Sequence, residues 1–156
     1  MPTFHNSKLE QLHDYWQAKR RGDRLPSRAD LSPFEMKFVV GNVCLIDVIP
    51  GDPPGFRMRL LGSNIVMSLG GSPSDKIVDW TGRTLDEMPQ TAFRTLVRQS
   101  FETATRTGEL FHAYRDWSLD GRRYNYEAVV LPLASDGVTV DMLLVGLVHG
   151  GCEQAA

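Results

Sequence analysis

The side chains of this chain that could do chemistry are scattered, and their spacing excludes more than it suggests. The histidines are His5, His13, His112 and His149, and the cysteines are Cys44 and Cys152. They form no cluster with acidic residues at metal-ligand spacing. Two cysteines so far apart make neither a disulfide framework nor a zinc site. Asp116, Asp120 and Asp136 fall at strand ends and turns, where aspartate serves local hydrogen bonding. Gly62, Gly70, Gly71 and Gly82 lack phosphate-loop spacing and serve backbone conformation instead. What remains is an aromatic and sulfur-bearing set: Met67, Trp80, Phe101, Trp117, Tyr126 and Met142. Such side chains usually fill a core, and a binding pocket also needs a few converging polar groups. Arg83, Tyr114 and Tyr126 are the available ones, with Arg83 able to hold a carboxylate or phosphate in bidentate fashion. These residue types form no catalytic and no metal-ligating set.

Two clear helical patterns and five strand patterns must position these residues. A helix is expected from Ser7, where Ser7-Lys8-Leu9-Glu10 fits a capping box. Leu9, Leu12, Tyr15 and Trp16 then recur along one stripe, and Lys19, Arg20 and Arg21 suit the last turn before Gly22. Leu25-Pro26-Ser27-Arg28-Ala29-Asp30 reads as an extended connector. Ser32-Pro33-Phe34-Glu35 predicts a second, short helix ending before Gly41. Strands are expected over Val43 to Ile49 and Phe56 to Gly62, joined by a breaker-rich turn. In the second strand Arg57 and Arg59 are assigned to one face, Met58 and Leu60 to the other. Asn64 to Leu69 reads as a possible helical turn. The strongest helical periodicity runs over Thr91 to Thr107 and stops at Gly108. Leu110 to Leu119 and Arg123 to Leu133 flank Asp120-Gly121, a hairpin signal, and Val140 to Val148 closes the chain.

Val43-Cys44-Leu45-Ile46 and Met142-Leu143-Leu144-Val145 are apolar on both faces, so the first and last strands should be central neighbours in a covered sheet. The 156 residues make one domain, with 42% apolar residues and 23% charged ones, ordinary values for a soluble protein. A net charge of −2 gives no general attraction to nucleic acid or to an anionic membrane. The first thirty residues are locally basic, but interleaved acids make them a solvated helix face. No signal peptide and no apolar run of membrane-spanning length is evident, so a cytoplasmic location is expected.

Several motifs in this order resemble a small stand-alone bacterial subfamily of PAS domains. They are Tyr15-Trp16, the connector Leu25 to Asp30, Pro33-x-Glu35, Arg57-x-Arg59-x-x-Gly62, Thr81-Gly82-Arg83-x-Leu85 and Leu131-Pro132-Leu133. The resemblance covers roughly residues 8 to 149. It implies an α+β fold with a five-stranded antiparallel sheet of order 2-1-5-4-3, a helical crossover and an N-terminal amphipathic helix. The expected divisions are 1–32 for the N-terminal helix and connector, 33–149 for the PAS-like domain and 150–156 for a disordered tail. The function implied is a sensory or signalling module without catalysis, acting through a small molecule or a protein partner.

On that fold the aromatic set, with Arg83 and Tyr114, falls where a cavity is lined between helices and sheet. The Leu9, Leu12, Tyr15 and Trp16 stripe must cover the opposite face, from the same chain or from a homodimer partner; a dimer interface is expected there. Haem is disfavoured, because residues 63 to 107 offer no histidine. Flavin photochemistry is disfavoured because Cys44 sits on a central strand, where a thiol acts as a small hydrophobe. One alternative is a small cone-shaped α+β enzyme, similar to ketosteroid isomerase relatives, using Asp116 or His112 with Tyr126. Its element order, helices before sheet, does not match this chain. A ligand-free interaction domain is the other alternative, because cavity volume turns on single methyl groups that no periodicity reports.

Overall fold

In the computed structural model, residues 2–64, 80–88, 92–119 and 122–149 are described. Within them α1 is Ser7–Lys19 and α2 is Ala92–Thr107. The strands are β1 Val43–Ile49, β2 Gly55–Leu61, β3 Phe111–Leu119, β4 Arg122–Leu133 and β5 Met142–Val148. They form one antiparallel sheet of order β2-β1-β5-β4-β3, as expected. The doubly apolar strands β1 and β5 are neighbours inside it, and every β5 residue from Leu143 to Val148 is buried. Among the described residues no helix is long and apolar enough to cross a membrane.

Alternation along β5 defines two faces. Gly146 lies directly under α1: a Cβ there would stand 2.7 Å from Leu9 Cδ2 and 2.8 Å from Leu12 Cδ2. Register then puts Val43, Leu45, Glu127, Val129 and Leu131 on this α1 face. Leu143, Val145 and Leu147 point the other way, with Cys44, Ile46, Phe56 and Met58 beside them. Phe56 meets Phe101 of α2 edge-on with ring centroids 5.3 Å apart, so α2 covers that second face.

Of the two coverings expected for the stripe, this packing supplies the one within the same chain. Leu9 and Leu12 are fully buried and Trp16 is 1% exposed, all within their own chain. The physical reason is Gly146, whose missing side chain lets α1 approach, and Pro132, whose carbonyl accepts the Trp16 Nε1–H at 3.0 Å. Tyr15 also turns inward: its hydroxyl donates to Glu35 (2.8 Å) and accepts from the Ser32 amide (2.9 Å). The core is continuous from Leu9, Leu12 and Trp16 to Leu131, Leu133 and Leu144. Residues 150–156 lie outside the described residues.

Three local expectations differ from what forms. The cap of α1 is Asn6, whose Oδ1 accepts from Lys8 N and Leu9 N, while Ser7 is the first helical residue. Asn6 wins because its own amide is held by Glu127, a contact 121 positions away. The expected helix after Pro33 is instead a run of three-residue turns, Met36 N to Pro33 O, Val39 N to Met36 O and Asn42 N to Val39 O. Seven residues rich in aromatic and β-branched side chains are too few to hold a helix, and turns suffice to bury Met36 and Val39. In β2, Leu60 pairs with Leu45 but Met58 pairs with Ile46, which leaves Arg59 as an extra residue. This bulge puts Met58 and Leu60 on opposite faces, against the assignment of both to one.

Candidate functional site

Glu127 is buried, at 3% exposed, and is the one buried carboxylate among the described residues. Its Oε2 accepts the His5 amide at 2.8 Å and stands 2.7 Å from His112 Nε2, while Oε1 accepts the Asn6 amide at 2.7 Å. Charge-assisted bonds of this length are about twice as strong as neutral ones. Around them the Phe4 ring meets His112 edge-on at 4.8 Å, and His5 stacks on Tyr114 with centroids 3.8 Å apart. The segment from Phe4 to Asn6 is thus clasped onto β3 and β4, and through the Asn6 cap it sets where α1 begins. The sequence reading passed over Glu127. The signal that could have found it is a lone acid inside Tyr126-Glu127-Ala128-Val129-Val130, an apolar strand stretch where a charge needs partners.

The α2 face is apolar at its centre. Cys44 has only burial acting on it, and its thiol is pushed up to about 12. Phe56, Phe101 and Ala104 close over this part. Toward the β3 edge the lining becomes smaller and more polar. Register sets Ala113 opposite Ala128 and Arg115 opposite Tyr126, all four positions facing α2. Ala113 and Ala128 are only partly buried, whereas Tyr126 is 6% exposed. The Arg115 Nε is buried and has no hydrogen-bond partner.

The expected ligand set does not converge. Phe101 and Tyr126 lie on the α2 face. Trp80 packs partly buried at the other edge, with the exposed Arg83 guanidinium 5.2 Å above its ring. The loop of Trp80 and Arg83 hydrogen-bonds β2 (Met58 N to Arg83 O, 2.9 Å), and β2 stands three strands from β4, about 14 Å away. Arg83 therefore does not share a small-molecule site with Tyr126. Tyr114 and Met142 are corrected as well. Tyr114 pairs with Glu127 and Met142 with Leu133, so both belong to the α1 face. β3 alternates, with Phe111, Ala113 and Arg115 on one side and His112, Tyr114 and Asp116 on the other, and its pairing with β4 puts Tyr114 on the polar α1 side. Met67 and the side chain of Trp117 lie outside the described residues.

His112 and Asp116 face α1 while Tyr126 faces α2, so the sheet separates the trio an isomerase-like site would need. Among the described residues no group of three or more His, Cys, Asp or Glu could hold a metal ion. A half-open polar cleft of about 410 Å³ lies beside the start of α1, lined by Lys8, Asn42, Asn64 and His149 among others.

Comparison with known proteins agrees with this architecture. The PAS domain from Bordetella pertussis BvgS superposes with a TM-score of 0.51 at 16% identity, covering 78% of this chain and 89% of that one. RsLOV gives a TM-score of 0.45 at 11% identity, covering 95% of this chain and 70% of its own. A sensory box histidine kinase/response regulator from Burkholderia thailandensis gives 0.43 at 10% identity, with 80% and 88% covered. No curated protein sequence matches. The profile of the PAS domain family matches residues 4–148, nearly the whole chain, and with the sheet order above the conclusion is direct: this chain belongs to the PAS domain family.

Proposed function

We propose that this chain is a sensory module that takes a small molecule on the α2 face near Arg115 and Tyr126. The state of its N-terminal segment is the readout. The observation that carries this is a one-residue step through the sheet. The pair Arg115–Tyr126 faces α2, and the adjacent pair Tyr114–Glu127 faces α1 and holds His5 and Asn6. A molecule that shifts β3 against β4 on one face must therefore change hydrogen-bond geometry at Glu127 on the other. Packed ladders of this kind carry displacement because close-packed interiors deform little.

Magnitudes decide what the readout is. Burial of Leu9, Leu12 and Trp16 contributes about 1.5–3 kcal/mol each. Each bond to the Glu127 carboxylate contributes about 1.5–3 kcal/mol. Opening the clasp frees the segment from Phe4 to Asn6 but leaves α1 docked by its apolar stripe. The signal is a change of that segment, passed to a second copy of the chain or to a signalling protein; no reaction step is assigned.

Native and denaturing mass spectra of wild type and Ala128→Leu test the binding half. The expected result is a non-covalent small molecule on the wild type, lost on denaturation and missing from the variant whose larger side chain fills its floor. A bound mass retained by the variant, or a wild type that is bare in every preparation, contradicts the reading.

A further inference from the structure

Arg115 is a permanent cation, half-buried on the α2 side of the sheet, and its hydrogen bonding is unfinished. Its Nε is shielded from solvent and has no acceptor. The other buried Nε without one, that of Arg20, belongs to a guanidinium that donates to the Asp23 carbonyl at 3.2 Å and stacks 5.2 Å over Trp16. Neighbouring acids do not serve Arg115. Asp116 and Glu127 belong to the opposite face, and Glu102 lies 3.9 Å from Arg98. Next to Arg115 the Ala113–Ala128 pair is small and only partly buried, and Tyr126 forms a wall across from it. Buried polar groups without partners are rare in folded proteins, and one beside small, partly buried neighbours marks where an acceptor belongs.

We propose that the α2 face binds a small carboxylate-bearing molecule, its carboxylate anchored by the Arg115 guanidinium over the Ala113–Ala128 floor. This rests on the reading of that face as the sensory site and adds the chemical class. A planar fork of N–H donors matches a carboxylate in two parallel bonds, and a site poor in water strengthens the pairing.

The test is calorimetric titration with acetate, succinate and citrate at matched ionic strength, with inorganic phosphate as a second anion, on wild type, Arg115→Met and Ala128→Leu. The expected result is a carboxylate that binds wild type and loses at least about tenfold in affinity in both variants. Thermal melts without added anion separate a ligand anchor from a structural arginine. Removing a half-buried guanidinium whose Nε has no acceptor is expected to hold or raise the apo melting temperature of Arg115→Met. A large drop overturns the proposal, because it reveals a structural partner. Equal carboxylate affinity in wild type and Arg115→Met, phosphate binding in place of every carboxylate, or no binding by any probe each overturns it too. If a neutral adduct in native spectra is still lost in Ala128→Leu, the sensory reading stands and only the anionic class falls.

Discussion

The two faces of the sheet are closed by different physics. On the α1 face a buried charge is fully bonded: Glu127 meets His5, Asn6 and His112, and Leu9, Leu12 and Trp16 seal the surface around it. On the α2 face the half-buried cation Arg115 has no partner for its shielded Nε and lies beside two small, partly buried alanines. A satisfied buried charge specifies one arrangement of the chain, because every alternative strands it. An unsatisfied one specifies an arrangement that something else must complete. The first face is a finished interface within the molecule, and the second is where the proposed ligand is placed.

The largest effect is expected from Trp16→Ala, which removes a filled core position and the bond to Pro132 O; urea unfolding should show a loss of about 3–5 kcal/mol. A stable monomer weakened only in self-association would break the comparison, by making the stripe an intermolecular surface after all. Glu127→Ala strands the His5 and Asn6 amides and His112, and should cost about 2–4 kcal/mol in the same assay. Set beside Arg115→Met, expected to cost nothing without ligand, that difference in sign is the sharpest form of the contrast. Gly146→Ala pushes a methyl into Leu9 and Leu12 and should cost about 1–3 kcal/mol, with faster amide exchange in α1 and little change in α2. An equal response from both helices would mean that the faces are not separable.

Acid should have the smallest effect, and it acts on loops that serve both faces. The Ser27 amide holds Asp30 below its ordinary pKa, the Tyr15 hydroxyl does so for Glu35, the Thr84 amide for Glu87 and the Val138 amide for Asp136. Each is more acidic folded than unfolded, so its contribution is present above the ordinary carboxylate range. It is lost as pH falls from about 4 through the folded values. Unfolding midpoints measured across that range should decline smoothly; a rise in stability on acidification contradicts the assignment.

Most of the fold was legible because sheet order follows from which strands are apolar on both sides, and β1 and β5 announce themselves. The motifs behind the family resemblance are legible for a structural reason. Trp16 bonds the Pro132 carbonyl, Pro26 accepts from Ala134, Ser27 and Asp30 cap one another, and Gly82 with Arg83 hydrogen-bonds Met58. Gly62 lets the backbone of Gly41 pass where a Cβ would overlap its carbonyl. The candidate site was far less legible. Arg83, a cation in a memorable motif, proved to be exposed, while Arg115, the charge that follows Phe111 and Ala113 on the α2 side of β3, drew no attention. Face assignment there depends on register with β4, a long-range property that a strand's own alternation does not carry. Glu127 escaped for the same reason, since its partners are more than 120 positions away or across the sheet.

The coupling through β3 and β4 is the central claim, and the His5 and Asn6 amides report it most directly. Both donate to a carboxylate at 2.7–2.8 Å, so their protons should resonate at low field and move when that geometry changes. Proton–nitrogen spectra of wild type and Ala128→Leu, a substitution on the far face that touches neither amide, make the comparison. The account predicts clear shifts at His5 and Asn6 with the β1 and β2 amides nearly still. Shifts confined to β3, β4 and α2, with His5 and Asn6 unmoved, would contradict it.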